Sequence, residues 1–600
     1  MKFSKINFFK ENVNLIFYVL LFLLFVFYLF VGAKYTFASH PDMFNNGLGR
    51  TWLKSLDINF FHLNGRWGQG ISNDYRFYEF KQITIVFINV LLAFGTYLFL
   101  KIFFNNKNAI IFSIVIAITI AQLVYKFYYH ALYLPTANSY TVGFSLSMIC
   151  YYFLFKMLNK EVENKNKYFL LSLFIIIITS GLVELVSLPM FFILGAVLLY
   201  VLVFEKKINF RVLILFLTSL ISFLIVFLSP GSINRRNEVS EREGFSVLNL
   251  DFNKFFDKTL SFISGDINIY SITALVLVGI IFISASKNKF ELTIPKKIYI
   301  VLITLVYITT PMIIGFLASN GTEGMAKAYN MQTRHFVIGS VVIVLVLLST
   351  IKLKTKHLFL IKTFAYSVAL IIYTYSFYSK SNIGDFIFSI ENNSLQELYT
   401  QEKARRYYLI DKKEENKTVN LPVYSPKYNT LPTYRSYNKV RMCPSFEKAF
   451  NNNNPVISHT TILSPNSNYG IYLVENNRVK PSLKNENLSL YFIKEFNVLI
   501  IKNLDKNFQF DFRAEAYYNT LFNEKNKKTI YGSYLETQLD DYGFYKDKNL
   551  VGIDLPHNTS IINLFINGNN ETPLVIDVES DMTLPKIEEF RKENVFSIMN

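Results

Sequence analysis

Arginine placement is the first feature of this sequence that could carry chemistry. The chain holds 15 arginines against 46 lysines, and eight of the arginines precede residue 379. Seven of those eight lie in the segments that the topology below places outside the membrane: Arg50, Arg66, Arg76, Arg235, Arg236, Arg242 and Arg334. A planar guanidinium binds phosphate oxygens through two parallel hydrogen bonds and loses less on desolvation than an ammonium does. The pattern indicates a phosphate-bearing ligand at that face, and pairing with neighbouring glutamates is the alternative.

The segment from Ser229 to Arg236 is the most specific local signal. It reads Ser-Pro-Gly-Ser-Ile-Asn-Arg-Arg and directly follows a long apolar run. Pro-Gly ends a helix, so the backbone and the guanidinium groups of Arg235 and Arg236 can converge on an anion. Arg334, followed by His335, supplies a second cationic position at the outer entrance of a later run.

Two acidic residues are candidates for proton transfer. Asp42 closes the sequence Ser39-His40-Pro41-Asp42, soon after the first apolar run, where a carboxylate can act as a general base towards a hydroxyl. An N-cap of a following helix is the alternative for this residue. Glu184 is a lone acid between two apolar runs, a costly position that needs a reason. Its alternative role is an ion pair with an outer arginine.

Aromatic and polar residues near these segments suit contact with a sugar. Trp67 follows Arg66, and Tyr129 and His130 precede Asn138 by a few residues. Together with His335 they are candidates for sugar or acceptor binding. The alternative is that such rings belong to the belt of aromatic residues found at membrane interfaces.

The composition predicts that membrane-spanning segments position these candidate residues. Of the 600 residues, 51% are hydrophobic and only 18% are charged, and the apolar residues come in runs of membrane-spanning length. The net charge of +17 does not indicate nucleic acid, because 34 of the 61 basic and 17 of the 44 acidic residues precede residue 379, leaving 27 of each after it. A basic excess confined to the apolar part is expected from membrane orientation. The two cysteines, Cys150 and Cys443, are not expected to form a disulfide.

The apolar runs predict an all-α polytopic domain over residues 1–379 with about eleven transmembrane helices. The first follows Lys2, Lys5 and Lys10 and is predicted to be an uncleaved anchor. The runs lie near 14–33, 82–104, 109–124, 138–155, 168–183, 186–204, 211–228, 269–285, 298–317, 336–350 and 358–378. The lysine-rich turns then lie inside, so the N-terminus is expected in the cytoplasm and the C-terminal part outside.

Residues 380–600 are predicted to form a separate soluble domain of mixed α/β or β-rich character. A helical stretch is expected over Glu397 to Leu409. The expected strands are Leu488 to Ile493, Val498 to Ile501, Phe508 to Phe512, Ile561 to Ile566 and Leu574 to Val578.

The order of these features resembles bacterial GT-C-type membrane glycosyltransferases. The shared elements are an anchoring first span, the acid Asp42 in the first outer loop, the lone Glu184, and the Pro-Gly-x-x-x-Arg pattern that ends at Arg235. The nearest resemblance is to uncharacterised membrane proteins related to glucosyltransferases that modify O-antigen and teichoic acid. It covers roughly residues 1–380. This sequence has His40-Pro41-Asp42 where the commoner pattern has two adjacent acids, which leaves metal binding in doubt.

The resemblance implies transfer of a sugar from a polyprenyl-phosphate donor to a cell-envelope glycan or lipid acceptor, at the outer face of the bacterial cytoplasmic membrane. Asp42 would be the base, with Glu184 as its possible replacement. Arg235, Arg236, Arg334 and Arg66 would hold the donor phosphate. Neither a metal ligand set nor a certain cofactor is predicted, and a divalent cation stays open.

Two other functions use similar features. A polysaccharide polymerase or ligase would use the same lipid-linked donors, with its arginine and histidine residues concentrated in one late outer loop. A flippase or transporter for lipid-linked sugars would not be an enzyme, and it would carry charged residues within many spans.

Overall fold

The computed structural model describes most of the helical part of the chain and much of its C-terminal third. The described residues are 2–35, 52–63, 66–68, 80–123, 137–159, 161–234, 257, 272–273, 275–277, 279, 293–319, 323–348, 358–378, 382–411, 419–422, 441–442, 456–459, 464–505, 510–521, 525–533, 544–547, 549–567 and 573–576. The chain divides into two compact units. Met1–Ala33 and Arg50–Phe386 form the first, and Lys34–Gly49 and Ile387–Asn600 form the second.

The first unit is helical. Its elements, with the helix that leads into the second unit, are α1 (Lys2–Tyr35), α2 (Trp52–Asp57), α3 (Lys81–Leu100), α4 (Asn106–Leu123), α5 (Val142–Leu158), α6 (Lys165–Ser180), α7 (Glu184–Glu205), α8 (Phe210–Phe227), α9 (Ile294–Ser319), α10 (Glu323–Leu348), α11 (Leu358–Tyr378) and α12 (Asn382–Glu391). Two short π-helical turns, Ile58–Leu63 and Ala137–Thr141, follow α2 and precede α5.

Among the described residues, seven helices are long and apolar enough to cross a membrane. They contain the segments Asn12–Tyr35, Lys81–Leu100, Asn106–Leu123, Ser139–Leu158, Glu184–Glu205, Phe210–Phe227 and Ile294–Met312. Met331–Val346 and Thr363–Tyr375 are shorter apolar helices. These helices are compatible with a multi-pass membrane protein, and the predicted count of about eleven spans is not confirmed. Most of the predicted run at 269–285 lies outside the described residues.

Helix α10 differs most from its predicted run. The run was expected to begin near residue 336, whereas the helix begins at Glu323. The polar residues between Glu323 and His335 keep the hydropathy low although the backbone is already helical, so an apolar run marks only the later part of the helix. Arg334 and His335 therefore lie within a helix and not at its entrance.

Side-chain caps explain where two of the helices begin. The Asn164 side chain accepts a hydrogen bond from the Lys167 amide at the start of α6. At the start of α8 the Asn209 side chain accepts from the amides of Arg211 and Val212. Each cap satisfies amides that have no partner within the first turn, which helps to stop the helix at that residue.

Helices α3 and α5 approach closely through a glycine. A Cβ at Gly95 would lie 2.6 Å from the carbonyl oxygen of Ser145, too close for any side chain. A hydrogen at this position brings two helix backbones together, a device common between apolar helices. The contact holds the start of α5, where several candidate residues lie.

The described residues of the second unit form three sheets and two further α-helices, α13 (Ser394–Asp411) and α14 (Pro465–Glu475). A three-stranded sheet has the order β1-β3-β2. Its strands are β1 (Val419–Pro422), β2 (Arg441–Met442) and β3 (Val456–His459). Strand β3 pairs parallel with β1 and antiparallel with β2.

Two larger antiparallel sheets follow in the chain. The five-stranded sheet has the order β4-β5-β6-β10-β9, and the four-stranded sheet has the order β12-β11-β7-β8. The strands are β4 (Leu483–Lys484), β5 (Leu488–Ile493), β6 (Val498–Asn503), β7 (Asp511–Asn519), β8 (Lys525–Ser533), β9 (Phe544–Asp547), β10 (Leu550–Asp554), β11 (Thr559–Ile566) and β12 (Leu574–Ile576). The C-terminal part is therefore strand-containing, and all five predicted strands overlap observed ones.

These two sheets share one apolar core. Phe492 and Ile501 from the five-stranded sheet pack in the same cluster as Phe512, Ile562 and other residues of the four-stranded sheet. The opposite face of the five-stranded sheet packs in a second cluster, with residues of α13 and α14 such as Tyr407 and Tyr469. The unit thus has a helical layer, a five-stranded layer and a four-stranded layer, which explains why β5 and β6 are apolar on both faces.

Candidate functional site

The best-defined polar contact of the first unit joins Arg66 to Glu184. The Arg66 guanidinium donates from Nη2 to Oε2 of the carboxylate at 2.6 Å and from Nε to Oε2 and Oε1 at 2.9 and 3.2 Å. Side-chain exposure is 13% for Arg66 and 24% for Glu184, so the pair is largely shielded from water. The geometry is a two-pronged charged pair of the kind that holds a guanidinium in one orientation.

Local structure explains the position of the carboxylate. Val183 is extended, with φ −161° and ψ 140°, and Glu184 is the first residue of α7. A carboxylate in the first turn interacts favourably with the positive end of the helix dipole. The chain therefore turns from α6 into α7 so that Glu184 is held at a helix N-terminus facing the Arg66 segment.

The residues after Arg66 are fixed on the same turn. The Gly68 amide donates to the Gly181 carbonyl at 2.9 Å. The Trp67 indole covers Gly181 so closely that a Cβ there would lie 2.3 to 2.7 Å from ring atoms. Gly181 has φ −82°, so glycine is required here for space and not for backbone conformation. Trp67 packs against backbone, which anchors the segment 66–68.

Tyr140 extends the polar contacts from Arg66 to the start of α5. Its hydroxyl hydrogen-bonds with the Arg66 side chain, and the next residue in the chain, Thr141, accepts a hydrogen bond from Arg334. Burial alone would lower the pKa of Arg66, but Glu184 and Tyr140 raise it above its ordinary value. Arg66 therefore stays a cation within a mostly buried site.

Arg334 lies in α10 and is 2% exposed. Its Nη2 donates to the Thr141 hydroxyl at 2.9 Å, and its Nη1 lies 3.3 Å from the Met331 sulfur. A cation buried among apolar helices is costly and marks a candidate functional position.

His335 is buried beside Arg334 but faces different neighbours. Its Nδ1 lies 2.8 Å from the Met331 carbonyl oxygen, one turn earlier in the helix. Its ring lies 4.5 Å from the ring of Tyr307 and 5.4 Å from that of Phe144, measured between centroids. These contacts pack α9, α10 and α5 together and place the imidazole in an aromatic environment.

The structure thus brings together three of the predicted charged residues: Arg66, Glu184 and Arg334. Trp67 and His335 lie next to them in the chain. Asn138 lies in the turn Ala137–Thr141, and its side chain is outside the described part. The other predicted site residues fall outside the described residues: Asp42, Tyr129, His130, Arg235 and Arg236.

Four residues of this site were missed in the sequence. Tyr140 and Thr141 link the two arginines, and Gly68 and Gly181 hold the Arg66 segment on the turn before α7. Tyrosine, threonine and glycine are common in this chain, so type alone does not distinguish them. Their closeness in sequence to Asn138, Arg66 and Glu184 is the one signal that could have found them.

Within the described part of the chain, no group of three or more His, Cys, Asp and Glu side chains is arranged to hold a metal ion.

The fold and site define this chain as a mostly helical protein with membrane-length apolar helices and a strand-containing second unit. Comparison with family models and with curated proteins gives no match.

Proposed function

We propose that this chain is a GT-C-type membrane glycosyltransferase. It moves a sugar from a polyprenyl-phosphate donor to a cell-envelope glycan or lipid acceptor at the outer face of the bacterial cytoplasmic membrane. The observation that carries the proposal is the pair of guanidinium groups, Arg66 and Arg334, which contact the adjacent residues Tyr140 and Thr141 among apolar helices. Cations at such a place suit a ligand that has both an anionic group and an apolar chain.

The contacts support different roles for the two arginines. Arg66 already uses Nε and Nη2 on the carboxylate of Glu184, so it contributes a fixed positive charge near the ligand. Arg334 donates to the Thr141 hydroxyl and lies near the Met331 sulfur, so its guanidinium is oriented towards the start of α5. Because Glu184 already engages two of the Arg66 nitrogens, Arg334 is the better candidate for direct contact with the donor phosphate.

The contacts of Glu184 favour a role in positioning Arg66 over a role as the base that removes the acceptor proton. Both of its oxygens accept hydrogen bonds from Arg66, so removing an acceptor proton would require breaking that pair. Asp42 remains the proposed base on the resemblance of its sequence position. Arg235 and Arg236 remain proposed phosphate contacts on the same ground.

The proposed reaction is an inverting displacement. The acceptor oxygen bonds to the anomeric carbon as its proton passes to the Asp42 carboxylate. The bond from that carbon to the phosphate oxygen breaks, and its electron pair leaves with the polyprenyl phosphate. Arg334 and Arg235 would stabilise the charge that develops on the leaving group. No metal step is required.

Sugar transfer by purified protein tests the proposal. Radiolabelled polyprenyl-phosphate sugars are supplied as a panel, and a labelled acceptor product with release of polyprenyl phosphate is expected. Asp42→Asn should bind donor normally and turn over roughly 10²- to 10⁴-fold more slowly. Wild-type turnover in this variant would remove Asp42 from the mechanism, and absence of transfer with the whole panel would refute the function. A periplasm-active reporter fused after Ser381 tests the proposed orientation.

A transporter of lipid-linked sugars is the second candidate, and one observation favours it. Arg334 lies inside α10 and is buried, whereas an enzyme site at the outer surface would place it at a helix entrance. A transporter moves the donor across a bilayer without breaking the sugar–phosphate bond. Movement of intact donor in proteoliposomes, without transfer to any acceptor, would select this function.

A further inference from the structure

The outer face of the four-stranded sheet in the second unit presents a set of side chains that the proposed transfer reaction does not use. The alternation of side chains along each strand identifies the members of this set. Phe512, Ala514, Ile562 and Leu564 point into the core, so the residues between them point away from it. The four strands thus expose one continuous surface, which we call the outer sheet face.

Strand register arranges the outer sheet face in three rows. The first row holds Tyr531, Arg513 and Phe565; the second holds Thr529, Glu515, Asn563 and Val575; the third holds Lys527, Tyr517 and Ile561. Tyr531 and Val575 are each 60% exposed and Ile561 is 48% exposed, whereas Glu515 and Phe565 are each 8% exposed. Exposed aromatic and apolar side chains therefore surround a charged centre that is largely buried.

Glu515 organises the middle of this face. Its carboxylate accepts from the Lys527 ammonium at 2.9 Å and from the Tyr517 hydroxyl at 3.3 Å, and Arg513 Nε lies 3.5 Å away. These interactions lower the pKa of Glu515, with Lys527 as the largest cause. The Arg513 guanidinium also stacks over Phe565, 4.0 Å from the ring centroid. The polar groups are thus held in place before any ligand arrives.

The charges on the face nearly balance. Its described residues include the cations Arg513, Lys525 and Lys527 and the acids Asp511 and Glu515, and both Arg513 and Lys527 pair with Glu515. Such a surface has little net field to attract a polyanion such as nucleic acid or an acidic lipid layer. It complements an uncharged ligand that is rich in hydroxyl groups.

We propose that the outer sheet face binds an uncharged glycan chain. The weakly positive C–H faces of sugar rings pack on the negative faces of Tyr531 and Tyr517. Sugar hydroxyls bond to the charged groups around Glu515, where hydrogen bonds are stronger than between neutral partners. The inference concerns binding alone and does not depend on the transfer reaction.

Binding by the full chain tests the inference. The protein is prepared in nanodiscs or in a detergent without a sugar headgroup, and it is screened against an array of neutral glycans that includes dextran and mannan. Polygalacturonate serves as the anionic comparison. Binding to a neutral glycan is expected to change little between 50 and 500 mM salt. Over the same range the Debye length falls about threefold, so binding of a polyanion would weaken strongly.

Two exposed substitutions locate the site. Tyr531→Ala and Lys527→Gln should each weaken affinity for the bound glycan by roughly tenfold. Lys484→Gln is the matched control, because Lys484 is an exposed lysine on an edge strand of the other sheet. Melting temperatures of all three proteins are measured alongside, to show that the fold is unchanged.

Several results would overturn the inference. Absence of binding across the neutral array is one, and unchanged affinity in both Tyr531→Ala and Lys527→Gln is another. Tighter, salt-sensitive binding of polygalacturonate would show that the ligand is anionic. Concentration-dependent dimerisation lost in Tyr531→Ala would show that a second copy of this chain occupies the face.

Discussion

Glu184→Gln is the most direct perturbation of the site in the first unit. Glutamine keeps the size of the side chain and one carbonyl acceptor, but it removes the charge that faces Arg66. The guanidinium then stays largely buried and faces the Tyr140 hydroxyl and a neutral amide in place of the carboxylate. Breaking one side of a buried ion pair is costly because the remaining charge has lost both water and its counter-ion.

The magnitude follows from the exposure of the pair. A fully buried pair loses about 3 to 5 kcal/mol when one partner is removed, and an exposed pair less than about 1 kcal/mol. At 13% and 24% exposure the Arg66–Glu184 pair falls between these limits, so we expect a loss of about 2 kcal/mol. In a unit of this size that corresponds to a fall of about 3 °C in melting temperature.

Differential scanning fluorimetry in detergent at a single scan rate measures this change. Glu205→Gln is the matched control, because Glu205 is an exposed acid at the far end of the same helix. The double variant Arg66→Gln/Glu184→Gln completes a thermodynamic cycle, and it should lose less than the sum of the single variants because no charge is left unpaired. A melting temperature within 1 °C of wild type in Glu184→Gln, or strict additivity in the cycle, would refute the reasoning.

Three further outcomes are expected. Gly181→Ala should lower the free energy of unfolding by about 1 to 3 kcal/mol, because the new methyl group forces the Trp67 indole off the turn. Gly279→Ala should change the melting temperature little, because a Cβ there would lie 3.8 Å from a ring atom of Phe112, an ordinary contact distance. Arg334→Lys should weaken binding of polyprenyl phosphate, measured by equilibrium titration, by roughly tenfold, because one ammonium cannot reproduce the planar fork of a guanidinium. Arg211→Lys, which changes an exposed arginine, should leave the affinity unchanged. Equal affinities of the Arg334→Lys variant and the wild type would exclude a phosphate-binding role for Arg334. Burial lowers the pKa of His557 to about 4. Between the ordinary pKa of histidine and this lower value, the unfolded chain binds one proton more than the folded chain. The free energy of unfolding therefore falls as the pH falls through this window. His557→Gln should therefore flatten the melting temperature between pH 7 and 4, and an unchanged pH profile would contradict this.

The sequence by itself predicted the long helices of the first unit and five of the described strands of the second. Long apolar runs are sufficient to predict helices, because a segment without polar side chains must satisfy its backbone groups internally. Both ends of α7 and α8, and the C-terminal end of α1, agree with the predicted runs within about two residues. Short apolar runs likewise predicted β5, β6, β7, β11 and β12, although β5 and β6 are buried on both faces and do not alternate between core and solvent. Element type is a local property, so local patterns are enough to specify it.

Only the tertiary structure decided which distant residues meet. Arg66 and Glu184 are 118 positions apart, and the sequence offered each of them several partners and several roles. Their pairing depends on Gly68 and Gly181 allowing two backbones to touch, and the link from Arg66 to Arg334 depends on the turn that presents Tyr140. Such contacts are set by packing across the whole unit, and no local pattern of residue types encodes them.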